Sequence, residues 1–558
     1  MNNMIKLARI FCDYMVLQRD KPVCIWGESE CDQTIDIKIS GKKIYTAQLS
    51  KGNFTLLLPK HPAAEDVKLE IGTCVFEHVD FGEVWVAGGQ SNMEFKLLYD
   101  QNGDSEIASA DDSHIRMYTV GQYSFEGVRE AGYKAWNPWE EWLPFKPDYA
   151  ADMSAVGVYF AKKIRENGIP VGIISCNWGG TSASAWTEKK YLSEDSKLVS
   201  YIKDFNEIVS KLDLERYYAV KNAIRPGMES RQSKEASAFL MKKTFHPEEL
   251  MKKIGLLMSE PEVSEKGSGM LELGKLSIEE IIAVGPGDPQ EPGVLYEHML
   301  REIIGYTVQG ILWYQGENDV DKADIYGRLF ATMITCWRNT WKKKNTALGK
   351  LPFFYVQLAP LGVWREANGD RFLTIREQQE IVAKEVEDTY MACISDAGNV
   401  YDIHPKDKHP VGERLALLAQ KFLYGKSLEA EAPEAVSLVK HQNSVSIYFK
   451  NSSGLYKKEK KFDSYNGFST DEIYPILLPP ILDGINGLQV FADSRVITDA
   501  QCCIEGDRLE ITAIEIETAG DIRVLFAQTG FYEVNLYNGA EIPVKPFTLV
   551  WNSKTNTF

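Results

Sequence analysis

Histidine is scarce in this chain, with eight in 558 residues, at positions 61, 78, 114, 246, 298, 404, 409 and 441. A mechanism that needs an imidazole base has few places to find one, and no metal-hydrolase histidine spacing appears. Cysteine is little better represented. Nine are present, none in a CxxC pair, and an odd number sits badly with a complete disulfide framework. Most are expected to be small buried hydrophobes, and the adjacent Cys502 and Cys503 to point to the two faces of one strand. No run of about eighteen apolar residues occurs, so no membrane span is predicted. The first residues, Met1 to Asp13, hold a short apolar patch broken by Lys6, Arg9 and Asp13, without a signal-peptide core; the expectation is a cytoplasmic protein. Positive charge is also in deficit. A formal net charge of −17 argues against holding nucleic acid or an anionic membrane through a general field, while leaving room for a small anionic substrate held by one or two local arginines.

What is present reads as globular. Apolar residues make up 44% and charged residues 25%, and the length predicts two or three domains. Residues 1–80 carry short alternating runs at Pro22–Trp26, Thr34–Ile39 and Phe54–Leu58, separated by turn signals, which predict a small antiparallel β domain. From 81 to 425 apolar strand runs (Val84–Ala87, Val171–Cys176, Gly310–Tyr314, Phe353–Leu358, Tyr390–Ser395) alternate with helix-like segments (Ala155–Glu166, Tyr326–Trp341, Thr374–Glu387, Gly412–Leu423). That alternation predicts an α/β region with a parallel sheet covered on both faces. A charged, helix-prone stretch at about 190–290 (Leu212–Val220, Glu248–Met258, Ile278–Ala283) reads as an insertion. Residues 426–558 return to short strands, at Val436–Val439, Val445–Phe449, Leu488–Phe491, Leu509–Ile511 and Ile522–Phe526, and predict a second β domain.

The sharpest local signal is Val84-Trp-Val-Ala-Gly-Gly-Gln-Ser-Asn-Met-Glu94. An apolar strand ends in two glycines and delivers Ser91 at a turn, where its hydroxyl is exposed and nearby amides can stabilise an oxyanion. The same segment also reads as a plain helix start, with Ser91 as N-cap and Glu94 completing a capping box. Two later strand ends bear on the choice. Val171 to Ser182 ends in Gly179 and Gly180, whose amides can face an oxygen. Ile311 to Asp319 offers the side-chain amides of Gln315 and Asn318, or else a turn with Asx capping.

A serine nucleophile needs a base, and His404 in Asp402-Ile-His404 follows the last apolar strand of the α/β region. A carboxylate two residues earlier can accept the Nδ1 proton and leave Nε2 to take the serine's. His409 with Asp407 repeats the spacing between Lys406 and Lys408, which look solvated. A metal reading of Asp402, His404, Asp407 and His409 is the remaining alternative. All of these groups fall just past the carboxyl ends of strands, where open α/β sheets bind ligands.

These motifs resemble the sialate O-acetylesterase family, a branch of the SGNH hydrolases. The resemblance rests on Met15-Val-Leu-Gln-Arg19, Pro22–Gly27, Gly89-Gln-Ser-Asn-Met-Glu94, Trp178-Gly-Gly-Thr-Ser182 with Trp186, and Trp313-Tyr-Gln-Gly-Glu317. It continues through Ile375-Arg-Glu-Gln-Gln379, Asp402-Ile-His-Pro405, Val411–Leu415, Asn535–Asn538 and Pro546-Phe547. The implied fold is an SGNH-type three-layer α/β/α parallel-sheet hydrolase domain flanked by N-terminal and C-terminal β domains. The implied catalytic residues are Ser91, His404 and Asp402. An oxyanion hole would draw on the Ser91 amide, Gly179 or Gly180, and Gln315 or Asn318. The chain departs from the superfamily's more usual Asp-x-x-His, and reads Leu295-Tyr-Glu297 where relatives commonly have Leu-Tyr-Asn.

The resemblance implies a serine esterase that removes O-acetyl groups from sialic acid through an acetyl-enzyme, with no cofactor and no metal. Its partner would be a small acetylated sugar; neither nucleic acid nor membrane is expected, and the oligomeric state is not legible. Gln90, Trp178, Trp186, Glu317, Gln357 and Arg376 are the expected substrate contacts, although each tryptophan also reads as core. The rivals are an acetylesterase acting on xylan or another acetylated glycan, and a non-catalytic carbohydrate-binding protein.

Overall fold

The computed structural model describes residues 5–124, 140–228, 241–242, 277–364, 367–368, 370–459, 464–465, 468–469 and 480–553. The chain forms two compact units, Met1–Phe354 with Lys384–Thr389, and Tyr355–Ala383 with Tyr390–Phe558.

One strand organises the first unit. Cys74–Gly89 is 16 residues long, and its burial changes along its length: residues 74–78 are largely open to solvent, whereas everything from Val79 onward is buried. Its pairing explains the change. The first part lies antiparallel to Ala64–Ile71, which has one solvated face, and Asp80–Gly82 lies parallel to Val16–Gln18. The second part runs parallel between Val171–Asn177 and Gly310–Tyr314, the setting in which a strand is apolar on both faces. Position 80, where the composition changes, lies inside this continuous strand. Val171–Asn177 pairs in parallel with Asp112–Thr119, which pairs antiparallel with Trp142–Phe145. Separately, Ile5–Leu7, Val23–Ser29 and Gly52–Leu58 form a three-stranded antiparallel sheet.

Alternation along Cys74–Gly89 places a helix on each face. Trp85 packs edge-on against Phe160 of the helix Ala155–Arg165. A Cβ built on Gly88, on the opposite face, would meet Trp313 and Trp337, the latter from the helix Tyr326–Lys344. These layers form the predicted α/β region. In the predicted insertion, the helices Leu214–Met228 and Ile278–Ile282 are present, the second opened by a Ser277–Glu280 capping box. The expected helix at Glu248–Met258 lies outside the described residues.

The second unit contains two four-stranded antiparallel sheets. One joins Glu434–Lys440, Ser444–Lys450, Arg508–Thr512 and Gln501–Glu505; the other joins Arg495–Ile497, Leu488–Ala492, Asp521–Phe526 and Phe547–Asn552. Their inner faces share one core containing Leu438, Ile447, Leu509, Val490, Val524 and Phe526. Cys502 and Cys503 point to alternate sides of Gln501–Glu505, and all nine cysteines are free. The unit also holds the helix His409–Phe422 and, up to Ala383, the helix Asp370–Glu385. No helix among the described residues is long and apolar enough to cross a membrane.

Candidate active site

Three strand ends finish at the same level in the first unit. Gly89 lies in register with Asn177 on one side and Tyr314 on the other, so the segments beginning at Gln90, Trp178 and Gln315 leave the sheet side by side. Hydrogen bonds fasten the exits: Gln90 N donates to Tyr314 O at 3.1 Å, and Trp178 N to Gly89 O at 3.1 Å. Gly89 is required for this geometry. Its φ is +137°, and a Cβ there would lie 2.2 Å from Tyr314 O.

Ser91 opens the four-residue helix Ser91–Glu94, but the cap position belongs to Gln90, with no side-chain capping bond. The N-cap reading of Ser91 is thereby corrected, as is the capping box. The Glu94 carboxylate reaches across to another loop, where Oε2 accepts from Gly179 N at 2.7 Å and Oε1 from Gln122 Nε2 at 2.9 Å. Burial raises the Glu94 pKa against the pull of these two donors.

The structure separates the candidate oxyanion donors. Gln315 is fully buried, and both N–H bonds of its amide are spent, on Asp319 Oδ2 at 2.5 Å and Thr181 O at 3.2 Å. Its oxygen accepts from Tyr326 OH at 3.2 Å. The expectation that Gln315 faces an oxyanion is corrected on that account. Gly179 is similarly engaged through its amide, by Glu94. Asn318 is half-buried; its backbone N–H donates to Gln90 Oε1 at 3.3 Å, and its side-chain amide has no hydrogen bond among the described residues. The amide of exposed Gly180 is uncommitted in the same sense.

Asp319, read from sequence as a turn residue, is a buried hub. Its carboxylate accepts from Ser182 Oγ (2.6 Å), Ala183 N (2.9 Å), Gln315 Nε2 (2.5 Å) and Tyr201 OH (3.1 Å), tying the second and third strand-end loops together. Burial raises its pKa while these donors lower it. Asn92, beside the serine, donates to buried Glu317, which links the first loop to the third. Apart from the Gln315–Asp319 bond, four positions apart, no sequence signal announces these ties, because their partners lie 118 to 225 positions apart.

Several expected substrate contacts prove to be internal. Trp186 has no exposed surface, donates its indole N–H to Thr181 Oγ1 at 3.1 Å and packs edge-on against Trp313, so it is core and not a sugar platform. Arg376, 1% exposed, gives Nη2 to the carbonyls of Thr529 and Gly530 and lies over the Tyr532 ring. Gln357 is buried and bonded to Glu380. Both are buried within the second unit, where Arg376 Nε and Nη1 have no hydrogen-bond partner among the described residues. Gln90 and Glu317 are buried in the polar ties above, while Trp178 stays half-buried.

His404 and Asp402 belong to the second unit. Asn399 Oδ1 accepts from the backbone amides of Tyr401 and Asp402, which sets the turn. Asp402 Oδ1 accepts from the His404 backbone N–H at 2.8 Å, and Oδ2 pairs with Lys406 Nζ at 2.7 Å. His404 Nδ1 is 3.8 Å from Asp402 Oδ1, beyond hydrogen-bond length. The His404 side chain is 20% exposed, and burial pushes its pKa down to about 3, opposed by Asp402 and reinforced by Lys408 and Lys406. His409, the alternative base, is an exposed residue at the start of its helix, 3.8 Å from Glu413. Asp402, His404, Asp407 and His409 form no metal-ligating cluster, nor does any other such group among the described residues.

Residues 283–417 match the family model described as carbohydrate esterase, sialic acid-specific acetylesterase. The chain is similar to the sialate O-acetylesterase of Homo sapiens, at 23% identity over 483 residues that cover 80% of this chain and 77% of that one. The corresponding protein of Mus musculus is 24% identical over 460 residues, covering 77% and 75%. The crystal structure of a novel carbohydrate acetylesterase from Xanthomonas citri superposes with a TM-score of 0.66 at 24% identity, covering 98% of this chain and 99% of that one. The fold is therefore shared with a carbohydrate acetylesterase, as the motifs implied.

Proposed function

We propose that this chain is a serine esterase that removes O-acetyl groups from sialic acid. The observation that carries the reading is the convergence at Gly89: Ser91, the Gly179-Gly180 loop and the Gln315–Asp319 segment leave adjacent parallel strands together. Strand ends of this kind are where α/β folds hold ligands. The named activity of the curated relatives and the family matched at 283–417 support the substrate class.

In this reading Ser91 Oγ attacks the acetyl carbonyl carbon while His404 Nε2 takes its proton. The Gly180 amide and Asn318 Nδ2 hold the tetrahedral oxyanion. Collapse breaks the ester bond, and the departing sugar oxygen receives the proton from His404. Water, deprotonated by His404, then attacks acetyl-Ser91, releasing acetate and restoring the serine. Asp402 biases the imidazole electrostatically, and the half-buried Trp178 offers an aromatic face to the sugar.

The test is acetate release from O-acetylated sialic acid, from acetylated xylan and from 4-nitrophenyl acetate, by the wild-type protein and Ser91→Ala. Turnover of the sialate ester that disappears with Ser91→Ala is expected. A preference for xylan would move the substrate to a plant glycan, and no turnover of any ester would favour a binding protein.

A further inference from the structure

Glu94 is an acid beside the proposed nucleophile that the acyl-transfer steps do not use. It sits on the helical turn that Ser91 begins, yet its carboxylate spans to two other chain segments, accepting from Gly179 N at 2.7 Å and Gln122 Nε2 at 2.9 Å. Gln122 spends its second N–H on Asn177 O at 3.1 Å, at the end of the strand that precedes the Gly179 loop. The loop also lies directly against the serine: a Cβ on Gly179 would be 3.2 Å from Ser91 Cβ and 3.3 Å from Glu94 Oε2. Two backbones this close need a fixed separation, and a carboxylate carried on the serine's own turn and accepting from the far amide supplies it.

We infer that Glu94 is a positioning residue for the proposed esterase reaction, holding the Gly179 peptide so that the next amide, of Gly180, stays free for the oxyanion. The inference rests on the esterase reading. Its chemistry demands an ion with two acceptor oxygens facing two donors. A glutamine at 94 has one acceptor and one NH₂, so it matches either Gly179 or Gln122 but not both. Turning the Gln122 amide over does not rescue the mismatch, because its oxygen would then face Asn177 O. The isosteric Glu94→Gln therefore removes one grip on the loop while preserving volume, and a small displacement of an oxyanion donor is felt in the transition state more than in substrate binding.

The experiment compares wild type, Glu94→Gln, Glu94→Ala and Ser91→Ala with 4-nitrophenyl acetate, alongside thermal melts. For Glu94→Gln the expected result is a kcat lower by roughly 10- to 100-fold, with KM within about threefold and a cooperative melt. A kcat within about twofold of wild type, or a change confined to KM, overturns the inference and leaves Glu94 a packing residue. Failure of both Glu94 variants to fold would assign the residue to stability alone and overturn it equally. An inactive wild-type protein instead sinks the esterase reading, a result that the Ser91→Ala control keeps separate.

Discussion

Gln315 gives both N–H bonds of its amide to Asp319 and Thr181, and so leaves Asn318 as the one half-exposed side-chain amide of that strand end. The two residues should respond differently to truncation. Asn318→Ala is expected to lower kcat by roughly 10²- to 10³-fold, the usual effect of losing an oxyanion donor, with little change in stability. Gln315→Ala strips one donor from buried Asp319 and should cost about 1–3 kcal/mol in urea unfolding. The opposite pattern would return the oxyanion role to Gln315.

His404 yields a prediction about pH. Burial holds its imidazole far below the ordinary 6.5, so it stays neutral, and competent as a base, in mildly acidic solution. The acid limb of kcat/KM is expected below pH 6.5. Stability has the same sign. Above 6.5 the group is neutral in both folded and unfolded chains and makes no difference; as pH falls towards 3 the unfolded chain takes up the proton first, and stability drops. Urea melts between about pH 4.5 and 7.5 should show a steeper loss for wild type than for His404→Gln.

Asp402 is expected to matter less than a carboxylate bonded directly to a catalytic imidazole. With 3.8 Å between Oδ1 and Nδ1, and both oxygens engaged elsewhere, its contribution is chiefly electrostatic. Asp402→Asn should lower kcat about tenfold, far short of the ~10⁴-fold loss seen when a hydrogen-bonded triad carboxylate is neutralised. Steady-state kinetics decide the matter, and a loss near the larger figure would mean that the imidazole and carboxylate close up during turnover.

Arg116 is buried in the middle of the strand Asp112–Thr119, paired with fully buried Asp80 at 2.9 Å, while His114 reaches the same carboxylate oxygen at 2.8 Å. Arg116→Met removes the guanidinium and leaves the buried carboxylate to His114 and the Asp66 amide. Chemical unfolding should register a loss of about 3–5 kcal/mol, and esterase activity below the melting temperature should persist.

The same arginine explains part of what the sequence concealed. Strands that read as unbroken apolar runs, such as Val171–Asn177 and Gly310–Tyr314, were legible from composition alone; Asp112–Thr119, with a cation at its centre, was not. The four helices expected in the α/β region were legible from periodicity, with ends displaced by up to four residues, whereas Val199–Ser210 was not singled out within its charged stretch. Of the candidate site, Ser91 and the two later strand ends were visible because glycine after an apolar run marks a strand exit. The division of labour among their amides was not, since it depends on which donor a distant carboxylate has already taken. Trp186 misled for a related reason: an indole looks alike in sequence whether it faces a sugar or a neighbouring core ring.

The uninterrupted run of Cys74–Gly89 has a mechanical consequence. Its front half is a rung of the N-terminal antiparallel sheet, and its last residue is two positions from the serine hydroxyl. A chain trimmed to begin at residue 81 would lose part of a shared girder instead of a hinge, loosening the beam from which the proposed nucleophile hangs. Strain introduced among the first eighty residues has a direct covalent route to the chemistry, with no loop between to absorb it.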